Sequence, residues 1–138
     1  MAIASSAPIK RAMVQALRAS TPLTTAIAGG IHESIAPRKI KYPFIVYQLV
    51  AAPYSYTSDV VLLQTLMDVS VFAENPVDAN NVDALIAAAL NEAELSVDEQ
   101  TTLLCRRVAD LPTGPDTDSE GKRIYQVGGT YAIWTAQS

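Results

Sequence analysis

An α+β fold, with helices packed on a mainly antiparallel sheet, follows from three features of the sequence. Two short helical periods with proline starts come first. Two strand-like runs precede, and two follow, the strongest helical stretch. The last two strand-like runs are joined by a connection too short to hold a crossover helix, which makes them an antiparallel pair. The order helix, helix, strand, strand, helix, strand, strand sets the expectation of a four- to five-stranded sheet packed with an N-terminal helical hairpin and one main helix, in a single domain over residues 1–138.

Ser6 and Pro8 open the first helix, because a serine oxygen can accept from the first turn and proline lacks the N–H that would go unpaired there. Ile9, Met13, Ala16 and Leu17 then recur at spacings of three and four, which gathers them on one stripe. Thr21-Pro22 repeats the cap-and-proline start, Leu23 to Ala28 forms the second helix, and Gly29-Gly30 supplies the positive φ that ends it. Ile31 to Ile35 reads as a minor strand before a turn over Pro37 to Lys41.

Phe44 to Val50 carries β-branched and aromatic residues on both faces, which predicts a central strand covered on both sides. Leu63 to Ala73 alternates instead: Leu63, Thr65, Met67, Val69 and Val71 share one face, and Gln64, Asp68 and Ser70 mark the wetter one. Asn75 caps and Pro76 opens the main helix, with its stripe Val82, Leu85, Ile86, Ala89, Leu90 and Ala93. Thr101 to Val108 and Arg123 to Thr135 are the closing strands, and Gly128-Gly129 marks a bulge or close backbone approach in the last.

The chain is 49% hydrophobic and only 17% charged, against roughly 25% charged in an average domain, so part of its apolar surface is available to a partner. A formal net charge of −4 and a pI near 4.8 argue against broad nucleic-acid binding. Arg106-Arg107, Lys122-Arg123 and the group Arg38, Lys39 and Lys41 read as solvated loop or strand-end charges. The lone Cys105, in an apolar run, has no intramolecular disulfide partner and reads as a small buried hydrophobe. No signal-peptide pattern and no run of ~20 apolar residues is present, which predicts a chain kept soluble in the cytoplasm.

Chemistry is sparse. The only histidine, His32, follows a Gly-Gly turn and reads as an exposed loop side chain. No serine sits in a nucleophile elbow, and one Cys with one His falls short of a zinc site. Asp116 to Gly121 mimics the start of a calcium loop, but position 12 is Val127 rather than glutamate and the flanks are strands, so a solvated hairpin loop is expected. Neither Gly-Gly pair has the spacing or the basic residue of a phosphate-binding loop. No catalytic residue, cofactor or metal is expected. Phe44 and Tyr47 are assigned to the core. Tyr54 and Tyr56, in the segment AAPYSYTSD, suit a protein interface.

The segments ALRA, PLTTAIAGGI, YPFIVYQLV and DVSVFAE, the Asn-Pro helix start and the closing GTYAIWT together resemble the tail-completion, or tail-terminator, proteins of long-tailed bacteriophages, from about Leu17 to Trp134. The resemblance implies a structural virion protein that forms a hexameric ring at the head-proximal end of the tail tube. Such a ring stops tube polymerisation and offers a docking surface to the head connector, while DNA passes through its bore without specific binding. A ring repeats one heterologous interface, so each subunit needs two different complementary patches. The expected suppliers are the sheet edges and two long loops, with candidate interface residues Tyr54, Tyr56 and Asp59 in one and Asp116, Asp118 and Glu120 in the other. A neck or head-completion protein is the neighbouring alternative. A small ligand-binding domain, or an enzyme using an unrecognised carboxylate pair, is the alternative from another class.

Overall fold

The computed structural model describes residues 6–36, 40–56, 61–93, 95, 101–111, 114–118 and 120–137. Helix α1 spans Ser6–Ala19 and buries Ile9, Ala12, Met13 and Leu17 on one stripe. Helix α2, Thr21–Ala26, starts and stops two residues before the expected bounds. Ser20 rather than Thr21 occupies the cap position, and Leu23 is its buried anchor. Gly30 has φ of 80° and ends this segment, while a Cβ on Gly29 would lie 2.0 Å from the Lys41 carbonyl, so this turn needs glycine for both reasons.

The strands are β1 Ile31–Glu33, β2 Phe44–Ala51, β3 Tyr54–Tyr56, β4 Val61–Ala73, β5 Thr101–Asp110, β6 Gly114–Thr117 and β7 Arg123–Gln137. The main path across the sheet has five strands in the order β1-β2-β4-β7-β5, antiparallel except for the parallel β1–β2 pair. Helix α3, Pro76–Leu90, lies between β4 and β5 in sequence. Its Asn75 cap accepts from the Asp78 N–H at 2.8 Å, and Ala79, Val82, Ile86 and Leu90 are buried. No described helix is long and apolar enough to cross a membrane.

β2 is not the sheet centre. β4 and β7 are, joined by an unbroken register from Val61↔Gln137 to Ala73↔Tyr125. Two segments read from sequence as loops also contain strands, for one physical reason. β2 pairs with β4 only from Leu66 to Phe72, and β5 pairs with β7 only from Gly129 to Ala136. The remaining backbone groups of the long strands need partners. β3 takes Val61–Leu63 of β4, and β6 takes Arg123–Gln126 of β7.

The sheet is covered on one side. Leu63, Thr65, Met67, Val69 and Val71 of β4 face α1 and α3, joined there by Tyr131 and Ile133 of β7 and Cys105 of β5, all 1% exposed or less. Burying each large aliphatic contributes about 1.5–3 kcal/mol relative to exposure. The glycine pair answers to close approach: a Cβ on Gly128 would lie 2.3 Å from the Val69 carbonyl oxygen, and one on Gly129 would lie 2.5 Å from the Arg107 guanidinium.

Candidate functional site

The uncovered face of the sheet carries the site. Register places Phe44 opposite Phe72 and Phe72 opposite Gln126, so β2, β4 and β7 each contribute one residue to a row on that face. The Phe44 and Phe72 rings stack with centroids 5.1 Å apart, and the Tyr42 ring lies 5.3 Å from Phe44. Val46 and Ile124 complete an apolar floor beneath a groove of about 950 Å³. One wall is the Ser34–Ala36 segment that leaves β1, and Ile35 there is 82% exposed.

The other wall is the tight turn from β6 to β7. Asp118 Oδ1 accepts from the backbone N–H groups of Glu120 at 2.9 Å and Lys122 at 2.8 Å. Its Oδ2 accepts from the Tyr42 hydroxyl at 3.1 Å. The bond from the Lys122 N–H is the main reason that the Asp118 carboxyl titrates below its ordinary value. Burial, then the bond to Asp118, pushes the Tyr42 phenol above its own. Lys122 Nζ bonds Glu74 at 2.9 Å and sits 5.7 Å from the centre of the Tyr42 ring. A second hollow of about 390 Å³ continues the groove past Val46 and Phe72 to Asp68 and Gln48. There Thr130 donates to Asp68 at 2.6 Å and Gln126 donates to Ser70 at 3.3 Å.

This arrangement packs aromatic rings and ties them to charged side chains through hydrogen bonds. His32 lies in β1 rather than in an exposed loop, and its Nε2 donates to the Gly29 carbonyl at 2.7 Å, a backbone-bracing role. Cys105 is buried on the opposite face, where burial pushes its thiol up to about 11. Among the described residues no three His, Cys, Asp or Glu side chains gather as metal ligands.

Of the predicted interface residues, Asp118 and Glu120 line the groove. Asp116 lies in β6, paired with Ile124. Tyr54 and Tyr56 lie in β3 at the far end of β4, paired with Leu63 and Val61. Asp59 lies outside the described residues. Tyr54 and Tyr56 are therefore not in one patch with Asp118 and Glu120: the 13 residues of β4, about 40 Å of strand, separate them. Phe72, Glu74 and Lys122 were missed. The available signal was an aromatic continuing the polar positions Gln64, Asp68 and Ser70 of β4. Phe44, assigned to the core, is 7% exposed because Tyr42 and Phe72 cover it, yet it belongs to the groove side. Arg107 is not a solvated charge; it is held by Asp83, Tyr131, Asp110 and the Gly128 carbonyl.

A chain of the solved structure "Virion of native gene transfer agent (GTA) particle" shares the fold, with a TM-score of 0.72 over 96% of this chain and 99% of that chain at 14% identity. Comparison with curated proteins returns no match. The family model "Tail completion protein gp17" matches residues 11–135, nearly the whole described fold. The chain therefore belongs to the tail completion protein gp17 family, and is a structural virion component of the phage tail or head–tail region.

Proposed function

We propose that the protein closes the head-proximal end of the phage tail tube as a hexameric ring, ends tube polymerisation and presents the docking surface for the head connector. The observation that carries this reading is the one-sided sheet. Helices cover one face, and the other keeps an apolar, aromatic-floored groove open to a partner. The separation of the two predicted interface groups along β4 supports it, since a heterologous ring contact needs two unlike patches on one subunit. Tyr54, Tyr56 and Asp59 serve one patch; Asp116, Asp118 and Glu120 serve the other. Catalysis has no part in this role. DNA passes the ring without specific contacts, in keeping with the acidic net charge.

The test is tail-tube assembly with and without the purified protein, followed by electron microscopy. Growth should stop in its presence, with added density at one tube end, and such tubes should join filled heads. Binding to head connectors without binding to tubes would favour the neck alternative. Binding to neither would refute both.

A further inference from the structure

The groove on the uncovered face is apolar at its floor, elongated and negative at its rim. With the second hollow it runs from Phe72 past Ser70 to Asp68, about 13 Å of β4, which suits an extended segment better than a compact molecule. Three carboxylates, Glu74, Asp118 and Glu120, line it against two ammonium groups, Lys41 and Lys122. Glu120 is exposed and forms no ion pair among the described residues. Burial and the bond to Asp118 raise the Tyr42 phenol first, and the charges of Asp118, Glu74 and Glu120 each raise it further, so the field at this ring is negative.

Lys122 shows what the rim binds. Its ammonium bonds Glu74 at 2.9 Å and lies 5.7 Å from the centre of the Tyr42 ring, a carboxylate and an aromatic face holding one cation. Both members of that ion pair are about half exposed, so little holds it against a competing cation. A second copy of the chain is a poor source of one. No Lys or Arg occurs from Tyr42 to Cys105, a stretch that includes Tyr54, Tyr56 and Asp59. Lys10, Arg106, Arg107 and Lys122 already hold carboxylates of their own chain, and Arg11 is likewise engaged. Of the other described cations, Arg18 and Arg123 lie on α1 and β7, which expose no large aliphatic side chain among the described residues, and Lys41 lines the groove itself.

We propose that the groove receives an extended segment of a different protein, the head connector of the reading above, with a Lys or Arg side chain set against Glu74 and Glu120 and apolar neighbours laid over Phe44 and Phe72. The inference rests on that reading and deepens it, since it gives Asp118 and Glu120 to the docking partner rather than to the next copy. The apolar neighbours gain burial on the stacked rings, with the exposed Ile35 standing at the open wall. The carboxylates fix the register of the segment and reject an acidic one by like charge.

The probes are blocked five-residue peptides with a leucine on each side of a central lysine or glutamate, titrated calorimetrically into the full-length chain. The lysine peptide should bind at least about tenfold more tightly than the glutamate peptide, and rising salt should weaken it. Glu120→Lys should weaken it about fivefold or more, while Lys122→Gln should tighten it about threefold, because Glu74 then has no internal cation. Glu92→Lys makes the same charge change on the far side of the sheet and should leave binding within about twofold. Circular-dichroism melts check the fold of each variant. No binding, equal binding of the two peptides, an equal loss in E92K or no gain in K122Q would each overturn the proposal. In the tube and head assay, E120K should still end tube growth but join heads about tenfold less often. Unimpaired joining would overturn the groove assignment and leave the ring intact; lost tube capping with normal joining would overturn it in favour of a second copy. If the unaltered chain neither caps tubes nor joins heads, the underlying reading fails, while the peptide titrations still decide the specificity of the groove.

Discussion

Arg107 and Asp83 meet in a parallel fork: Nη1 donates to Oδ1 at 2.9 Å and Nη2 to Oδ2 at 3.1 Å. The same guanidinium donates to the Tyr131 hydroxyl at 3.1 Å and the Gly128 carbonyl at 2.9 Å, so one side chain ties α3 to β5 and β7. With 18% and 16% of the two side chains exposed, little solvent screens the pair. Arg107→Met should destabilise by about 3–5 kcal/mol, since it strands Asp83 without its cation. In denaturant titrations the double variant R107M/D83N should lose less than the sum of the singles, with a coupling of about 1–3 kcal/mol. Simple additivity would show that the fork is incidental.

Thr65 is fully buried on the helix side of β4, and its hydroxyl has no hydrogen-bond partner among the described residues. Replacing the hydroxyl with a methyl keeps the shape and removes an uncompensated polar group. Thr65→Val should therefore raise stability by about 1 kcal/mol in urea unfolding. A loss of stability would mean that the hydroxyl is satisfied after all.

Gly128→Ala drives a methyl to 2.3 Å from the Val69 carbonyl oxygen and 2.9 Å from the Ser70 Cα, both backbone atoms that cannot swing aside. The expected penalty is about 1–3 kcal/mol or more, with weakened β4–β7 pairing around Ser70 in hydrogen exchange. Unchanged thermal melting would contradict this close approach.

Burial holds the Cys105 thiol near a pKa of about 11, so little thiolate forms at neutral pH. A thiol reagent at pH 7.5 should label the folded protein at least about 100-fold more slowly than the urea-unfolded chain. Rapid labelling under native conditions would place the sulfur at the surface.

Asp118 gives the groove wall an acid-sensitive element. Its folded pKa lies below the unfolded value, so its contribution is present above the ordinary 3.8 and disappears as pH falls through the folded value. Asp118→Asn keeps an oxygen for the two backbone N–H groups but removes the titration. It should fold normally at pH 7 and lose less stability than the unaltered chain below about pH 4. Parallel acid limbs in urea titrations would refute this role.

Elements with their own punctuation were legible in the sequence. Asn75-Pro76 marked the start of α3 to the residue, because a cap and a proline act within one turn, whereas the stripe read on to Ala93 overshoots the end at Leu90. The alternation from Leu63 to Val71 identified the buried side of β4, because side-chain direction in a strand has a period of two. β3 and β6 were not legible: Tyr54–Tyr56 and Gly114–Thr117 are extended by virtue of partners already laid down on β4 and β7. The candidate site was half legible. Asp118 and Glu120 were picked out, but Phe72, Glu74 and Lys122 reach Tyr42 only across gaps of about thirty to eighty residues.

By itself, the sequence determined the α+β class, the start of α3, the buried side of β4 and a chain with little catalytic inventory. It also carried the patterns that mark the family. Tertiary structure alone decided that β4 and β7 form the centre and that one sheet face stays open. It also enclosed Arg107 among Asp83, Tyr131 and the Gly128 carbonyl. The physical reason is range. Caps, turns and alternation act over a few residues, whereas strand order and the meeting of Arg107 with Asp83 depend on which distant segments pair, information held in no local stretch.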